Sequence, residues 1–503
     1  MARFSKLRSS ASLLLASSLI FAQRGGNDWM TAGFDAQRSN WVRMDPKINP
    51  ASILQSDFKL VWQYDFKTPV SAPSLIDFYI GYKGFRTLSY FGGAQNQVFA
   101  IDSDMARMEW EKKYGPVSPQ PGNCPGTMTT GVIRPSVFPY TTQVGGRGAG
   151  RGTPAKSGVG EPLKGAVTIR KTSPAPPPPP KPVPPPSPAA AAAAAAANPF
   201  APRVQYVNFI TTDGNFHSLW LSNGEEPQGG VPFLPAGANA KGLLVANGYA
   251  YVGTAHGCNG APNAVWALDV AAKKVNQWKA SGDGVAGSAG PAFGPDGTVY
   301  AATYGGELVA LEEKTLTEKS KFSAPGLSFN ATPVVFKYKD KDLLAVTSSD
   351  GRLHVFNTAS LSAPLAQSTA ALQANYTVGA LASWQDPAGV RWILTPSGRG
   401  IMAWKLSDEG GAYKLERAWA SPAMVNPITP IIVNGVVFAA AAGDRNTPAK
   451  LHALDALTGQ SVWNSGNTIK SYISGSGLSA GGSRVFLSTV DGVQYVFGIP
   501  LEI

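Results

Sequence analysis

An internal repeat constrains the fold of this 503-residue chain more than any other feature of its sequence. In its clearest copies, apolar residues flank an alanine, an acid closes the run, and a tryptophan follows eight or nine residues later. The clearest copies are Val98–Asp102 with Trp110, Val265–Asp269 with Trp278, and Leu451–Asp455 with Trp463, and weaker ones lie at 308–312, 353–357 and 401–404. Alanine-equivalent positions 267, 310, 355, 403 and 453 are 43 to 50 residues apart. A period of this length in a strand-rich chain indicates propeller blades.

Turn signals divide each period into strands. Asx-Gly pairs favour the tight turns of hairpins, and they stand at Asn247-Gly248, Asp350-Gly351, Asn434-Gly435 and Asp491-Gly492. Only 15% of residues are charged, while 55 are Gly and 41 are Pro, which fits many turns rather than a helical bundle. Four strands per period make one antiparallel blade. We expect the innermost strands to begin near Ser71, Gly131, Ala240, Gly287, Asn330, Gly379, Asn426 and Ser474.

The length of the chain supports eight blades and predicts how the ring closes. Residues 57–503 without the stretch 144–203 give about 48 residues for each of eight blades, whereas seven would need about 55. The last period ends after three strands, and the run Phe58–Tyr64 can supply the missing outer strand. Closure removes exposed sheet edges. The sequence therefore predicts an all-β, eight-bladed β-propeller of four-stranded antiparallel blades, closed by an N-terminal strand.

Residues 144–203 form a low-complexity insertion within the propeller. A Gly/Arg-rich part is followed by the proline-rich run 174–188 and by nine alanines at 189–197. Such a segment has few large apolar residues to bury and few ladder donors, so we expect a disordered surface excursion. Eight Lys or Arg against one Glu give it +7 of the total net charge of +11. The alternative is a basic arm that touches anionic envelope polymers.

The first 22 residues have the pattern of a secretory signal peptide. Arg3, Lys6 and Arg8 precede the apolar run 11–22, which is too short to span a ~30 Å hydrocarbon core. A buried N-terminal helix is the alternative. We expect cleavage after Ala22, a periplasmic or secreted protein without a transmembrane segment, and a stretch 23–56 that leads into the propeller. Signal and insertion hold nearly all the positive charge, so we expect no nucleic-acid partner.

The repeats resemble those of the quinoprotein, or pyrroloquinoline quinone (PQQ)-type, eight-bladed propellers. The beginning of the chain is similar as well: Asp28-Trp29 precedes Gly33 and Arg38, then Ile48-Asn49-Pro50 leads to the strand with Trp62. Quinoprotein alcohol dehydrogenases open in a similar way, and related repeats build scaffolds of outer-membrane protein assembly. The resemblance implies this fold for nearly the whole mature chain, and PQQ with Ca²⁺ as the cofactor if the chain is an enzyme.

The chain departs from the dehydrogenase pattern in several places. Those enzymes carry two adjacent cysteines over the quinone, whereas Cys124 and Cys258 are 134 residues apart. No CxxCH sequence that would attach haem is present, and no calcium-ligand set can be transferred residue by residue. The four histidines lack the spacing of metal ligands, so we predict no metal site among them and assign no catalytic residue. They are His217, His256, His354 and His452.

Candidate ligand-binding residues follow from propeller geometry. Loops that lead into the innermost strands converge on the central channel, where propellers bind ligands. These loops present Arg134, Asn330, Tyr376, Asn426 and Tyr472. An arginine can bind a quinone carboxylate through two hydrogen bonds, and the amides can orient it. The alternative is that these groups hydrogen-bond to loop backbone and water.

Two cysteines in an exported chain are more often paired than free. Cys124 stands before blade 2, and Cys258 lies in a Gly-rich loop of blade 3. We therefore predict a disulfide between them, provided that both loops lie on one face, with two free thiols as the alternative.

The sequence leaves three hypotheses about function, of which one is an adhesive or polymer-binding role for the insertion. The first is a binding or scaffold propeller of the cell envelope, whose channel binds an envelope protein or a small molecule. The second is a PQQ-dependent alcohol or sugar dehydrogenase, in which a base takes the hydroxyl proton and the quinone accepts hydride.

Overall fold

The computed structural model describes residues 28–55, 57–81, 83–117, 124, 138–140, 206–475 and 477–500. They form an eight-bladed β-propeller whose blades are antiparallel sheets. The predicted signal peptide and the whole low-complexity insertion lie outside these residues.

The strands of blades 1 to 4 follow one another along the chain from the innermost strand outwards. Blade 1 contains Ser74–Gly81, Gly84–Gly92, Gln97–Asp102 and Arg107–Lys113; blade 2 contains Tyr206–Ile210, Asn215–Trp220 and Val231–Pro232; blade 3 contains Ala240–Ala246, Tyr249–Thr254, Ala264–Asp269 and Lys274–Lys279; blade 4 contains Ala292–Phe293, Val299–Ala302, Glu307–Leu311 and Glu318–Ser323. The innermost strand of blade 2, expected near Gly131, lies outside the described residues.

Blades 5 to 8 complete the ring. Blade 5 contains Val334–Tyr338, Lys341–Thr347, Leu353–Asn357 and Ala366–Gln367; blade 6 contains Ala382–Gln385, Arg391–Pro396, Ile401–Glu409 and Ala412–Ala420; blade 7 contains Ile431–Val433, Val436–Ala441, Lys450–Asp455 and Ser461–Asn464; blade 8 contains Leu478–Gly481, Arg484–Ser488, Val493–Gly498 and Lys59–Asp65. The other elements are the strands Trp41–Val42, Ala331–Thr332 and Gly379–Ala380, the α-helix Pro50–Leu54 and a 3-10 turn, Cys258–Gly260.

The ring closes as the sequence predicts. Lys59–Asp65 pairs antiparallel with Val493–Gly498 as the outermost strand of blade 8. We call the face on which loops lead into the innermost strands the upper face. The lower face carries the turns that join the first strand of a blade to its second and the third to its fourth.

Most innermost strands begin three to five residues later than the turn signals suggest, although Ala240 is correct. Blade 1 begins at Ser74, blade 4 at Ala292 and blade 7 at Ile431, and each of these strands directly follows a proline. Because proline has no N–H to donate, it interrupts the ladder, and continuous pairing starts only after it. Before the proline, the same blades make only isolated bridges to their second strands, from Val70 to Gly93, Val285 to Thr303 and Pro427 to Ala441.

The apolar core lies between the blades. The described residues form seven clusters of buried side chains, and each draws its strands mainly from neighbouring blades. The repeated tryptophans contribute at three of these interfaces, where the indole N–H bonds to the carbonyl that directly follows the third strand of the next blade. The bonds are Trp62 to Ser103 at 2.9 Å, Trp110 to Leu221 at 3.0 Å and Trp419 to Ala456 at 3.1 Å. Trp278 and Trp463 are only half-buried.

Charged groups meet where blade 8 closes against blade 1. Arg484 Nη1 donates to Asp104 Oδ1 at 2.7 Å, and Ser483 Oγ donates to Asp45 Oδ1 at 2.7 Å. Burial raises the pKa of Asp77 to about 7, with the Asp45 and Asp104 carboxylates adding to the rise and Arg484 opposing it. The Asp77 carboxyl therefore holds a proton at mildly acidic pH in the folded state.

The raised pKa of Asp77 predicts that the stability of the folded protein depends on pH. Between about pH 4 and pH 7 the folded state binds a proton at Asp77 that the unfolded state has released, so stability falls as pH rises through this window. We expect Asp77→Asn to weaken this fall in thermal melts between pH 4.5 and 7.5. A melting temperature with the same pH slope in both proteins would contradict the prediction. Asp340→Asn, which changes an exposed carboxylate in a lower turn of blade 5, is the control.

Candidate functional site

The central channel contains the N-terminal part of the chain. We call residues 28–42 the channel belt, because they bond to the innermost strands of six blades in ring order. Successive bonds join Trp29 O to Leu75 N in blade 1, Thr31 Oγ1 to Leu243 O in blade 3, Ala36 O to Phe293 N in blade 4, Gln37 O to Val335 N in blade 5, Ser39 O to Ser383 N in blade 6, and Asn40 O to Ile432 N in blade 7. The belt thus follows the inner wall of the ring.

Arg38 is the most deeply buried cation of the belt, with no exposed surface. Its Nε donates to Pro291 O at 2.9 Å and its Nη2 to Gly242 O at 2.8 Å, so one guanidinium joins blades 4 and 3. Nη1 bonds within the belt, to Ala32 O at 2.6 Å. Burial lowers the pKa of Arg38 to about 9, against the opposing charge of Asp35. The group therefore stays charged at neutral pH.

Amides complete the attachment of the belt. Asn40 Nδ2 donates to Leu381 O of the loop before blade 6 at 2.8 Å. Gln37 Nε2 donates to the carbonyl of Phe138, whose ring stacks on Phe293 with centroids 5.2 Å apart. These side chains hydrogen-bond to the channel wall. The wall carbonyls that they occupy are groups to which a small ligand would otherwise bond.

At the upper mouth, the loops that lead into blades 4, 5 and 6 contact one another. Ser288 N, before blade 4, donates to Gly379 O, before blade 6, at 3.0 Å. Ala331–Thr332 pairs in parallel with Gly379–Ala380. A Cβ on Gly287 would lie 1.9 Å from Thr332 N, so only glycine fits there.

The loop residues nominated from the sequence lie at this mouth. Asn330 is 8% exposed; its Oδ1 accepts from Thr347 Oγ1 at 2.6 Å and its Nδ2 donates to Tyr376 O at 2.9 Å. The Tyr376 hydroxyl donates to Pro427 O, and burial raises its pKa to about 12. Asn330 and Tyr376 are therefore neighbours whose polar groups bond to loop atoms.

The other nominated residues are more dispersed. Asn426 Nδ2 donates to Gly443 O at 2.9 Å within its own blade. Tyr472 is half-buried, and its backbone carbonyl accepts from Val490 N at 2.9 Å. Arg134 lies outside the described residues.

Other chemistry-bearing groups do not converge on the channel. Within the described ranges, no three His, Cys, Asp or Glu side chains are arranged to hold a metal ion. His217 bonds to Glu226 at 2.8 Å in blade 2, and burial lowers the pKa of His354 to about 4. A cleft of about 390 Å³ on the upper face lies between the loop after blade 5 and blade 6, with Leu372, Gln373, Arg399 and Met402 in its lining.

The comparisons with known proteins agree with this architecture. Residues 263–496 match a family model described as outer membrane protein assembly factor BamB. The structure aligns with a quinohemoprotein alcohol dehydrogenase from Comamonas testosteroni at 13% identity and a TM-score of 0.56, covering 95% of this chain and 81% of that one. The fold is that of the quinoprotein-type eight-bladed propellers. The predicted resemblance is thus confirmed.

Two further structures show the same fold. A europium-containing methanol dehydrogenase aligns at 12% identity and a TM-score of 0.53, covering 93% of this chain and 89% of that one. The computationally designed protein Ika8 aligns at 12% identity and a TM-score of 0.53, with 88% and 100% of the two chains covered. No curated protein matches this sequence. At these identities the alignments concern the fold alone.

Sequence reasoning missed the channel belt. Arg38 was noticed only as part of a resemblance, and Thr31, Gln37 and Asn40 look like ordinary loop residues. A signal was present in the dense run of polar residues at 35–40, which lies between Trp29 and Trp41. Tryptophan side chains bury a large apolar area, so Trp29 and Trp41 are the local sign that this stretch packs against the ring.

We predict that Arg38→Met destabilises the whole ring rather than one blade. The substitution leaves the carbonyls of Pro291 and Gly242 without their charged donor, and a lost bond to a charged group costs about 1.5–3 kcal/mol. Chemical denaturation measures the difference between Arg38→Met and Arg352→Met, which changes an arginine of blade 5 whose side chain is 42% exposed. Equal midpoints would contradict the role given to Arg38.

Cys124 and Cys258 form a disulfide, with Cα atoms 5.8 Å apart, so Cys124 lies on the upper face beside the loop that carries Cys258. The bond closes a loop of 134 residues, which stabilises by at most about 5 kcal/mol in the chain-entropy model. We expect the denatured, unreduced protein to show no reactive thiol in a titration and two after reduction. Two thiols before reduction would contradict the pairing.

Proposed function

We propose that this chain is an exported PQQ-type repeat propeller that acts as a binding or scaffold module in the cell envelope. In this proposal residues 1–22 are a cleaved signal, residues 57–503 are the propeller, and 144–203 are an excursion from blade 2. The family model matching residues 263–496 carries the name of an outer-membrane assembly factor, which supports this class of role. Among the described residues no helix has the length and apolar character needed to cross a bilayer.

The filled channel is the observation that carries the proposal. Belt residues occupy the wall of six blades, and loops before blades 4, 5 and 6 contact one another at the upper mouth. A ring whose channel is filled by its own chain presents its outer faces to partners. We infer that the propeller binds through these surfaces.

We infer that the described channel residues are a poor fit for a quinone with its calcium ion. The amides of Asn330 and Asn426 already bond to loop atoms, and the described residues offer no cluster of metal-binding side chains. The sequence also lacks the adjacent cysteine pair of the dehydrogenases. These features favour the scaffold over the dehydrogenase, although dehydrogenases are among the structures with this fold.

Calorimetric titration of the mature chain with PQQ and Ca²⁺ tests the proposal. We expect no binding in the micromolar range, because the belt and the mouth loops occupy the space. Sub-micromolar affinity that Arg134→Ala abolishes and Arg352→Ala leaves intact would overturn the proposal in favour of the dehydrogenase. Arg352 is the matched control because it pairs with Asp350 on blade 5.

A further inference from the structure

We propose that the lower face of blades 7, 8 and 1 docks on an anionic lipid surface through a group of exposed apolar side chains. The docking face is separate from the channel, so the inference stands whatever the channel binds. Its residues are exposed by 49% to 71%: Met44, Leu54, Phe85, Met105 and Leu457. We call these five residues the apolar patch.

The patch begins on the two lower turns of blade 1. Phe85 starts the second strand, and Met105 lies in the turn between the third and fourth strands. Thr87 N donates to Asp104 Oδ2 at 2.8 Å, so the two turns are directly joined. Phe85 and Met105 therefore project from adjoining turns.

Hydrogen bonds place the next residue of the patch, Met44, at blade 8. Arg484 Nη1 donates to Asp104 Oδ1 at 2.7 Å, and the neighbouring Ser483 Oγ donates to Asp45 Oδ1 at 2.7 Å. Asp45 follows Met44 in the chain. Met44 is thus placed beside the lower turn of blade 8, next to Met105's turn.

Blade 7 supports the remaining two residues. Asn434 Nδ2, in a lower turn, donates to Ile48 O at 2.9 Å, directly before the helix Pro50–Leu54 that presents Leu54. Ala456 N donates to Gly435 O at 3.1 Å, which places the turn carrying Leu457 against the same hairpin. All five side chains lie on one face of three consecutive blades.

The equivalent turns of blades 3 to 6 are polar. They expose charged residues, which are Lys273, Lys314, Lys339, Asp340 and Glu409. Of the seven exposed large apolar residues among the described ones, only Val117 and Val425 lie elsewhere. A concentration of this kind marks an interaction surface rather than a chance exposure.

The described residues next to the basic stretch favour a lipid surface as the partner. Asp28 Oδ1 accepts from Asp77 N at 3.0 Å, so Asp28 lies beside blade 1 near its lower end. On the other side of the basic stretch 144–203, Tyr206 begins the second strand of blade 2 at the lower face.

Residues 138–140 lie at the lower face as well. A Cβ on Gly297, in a lower turn of blade 4, would lie 3.1 Å from the Phe138 ring. The Tyr140 hydroxyl donates to Asp342 Oδ1 of blade 5 at 2.9 Å. The described residues that flank the basic stretch 144–203, Tyr140 and Tyr206, therefore lie on the same face as the apolar patch. Apolar side chains and a basic segment are together the two signals that bind a protein to an anionic bilayer.

Vesicle sedimentation with the mature chain tests the docking face. The probes are vesicles of phosphatidylglycerol with phosphatidylethanolamine, and vesicles of phosphatidylcholine. We expect binding to the anionic vesicles, and a loss of affinity of about tenfold or more in Phe85→Ser/Met105→Ser. Val425→Ser, an exposed apolar residue of the upper face, should leave affinity within about twofold. Melting curves check that each variant is folded.

A second readout keeps the test independent of folding defects. Phe85→Cys labelled with a polarity-sensitive fluorophore should shift to the blue when anionic vesicles are added, because the label enters the acyl region. No shift, or no binding of the parent chain to either vesicle, overturns the proposal.

Two further outcomes identify other occupants. If deletion of 144–203 abolishes binding while Phe85→Ser/Met105→Ser does not affect it, the basic stretch alone binds and the docking face is wrong. If the parent chain fails to bind vesicles and is a dimer that Phe85→Ser/Met105→Ser converts to a monomer, the patch is an interface between copies, and the proposal is overturned.

Discussion

Packing between neighbouring blades is the interaction on which the rest of the structure depends. The buried clusters combine strands of adjacent blades, so a single blade cannot bury its apolar surface alone. Each blade requires a neighbour on both sides, and the only arrangement that gives every blade two neighbours is a closed ring. The N-terminal strand Lys59–Asp65 follows from this constraint, because blade 8 without it would lack its outermost strand and the Trp62 bond to blade 1.

The closed ring creates an interior wall of backbone groups, and the channel belt satisfies part of it. The carbonyls of Gly242 and Pro291 accept hydrogen bonds from the guanidinium of Arg38. Strand N–H groups, such as that of Val335, donate hydrogen bonds to belt carbonyls. A buried charge is tolerated only when it is fully bonded and accompanied by an opposite charge, which Asp35 supplies. The same groups that hold the ring from inside leave its outer faces as the surfaces open to partners.

The sequence predicts the blades well and the channel poorly, for a physical reason. A repeated strand is visible because its apolar alternation and its turn residues are local, so Ala240 and the closing strand near Phe58 were found directly. Belt residues are fixed by partners far along the chain: Asn40 bonds to Leu381, at a separation of 341 residues. No local pattern encodes such a contact. Asn330 and Asn426 were nominated for their place at the mouth, but their bonding partners depend on loop paths that only the structure shows.

The belt also orders the events of folding. Its residues lie near the beginning of the sequence, yet their partners extend from Leu75 to Ile432, so the belt bonds cannot be complete until blade 7 exists. The closing strand Lys59–Asp65 forms later still, because its partner strand ends at Gly498. Contacts of such long sequence separation form late and slowly. A chain built in this way stays open until nearly all of it is present, and an open chain is the form that a translocation pore can carry.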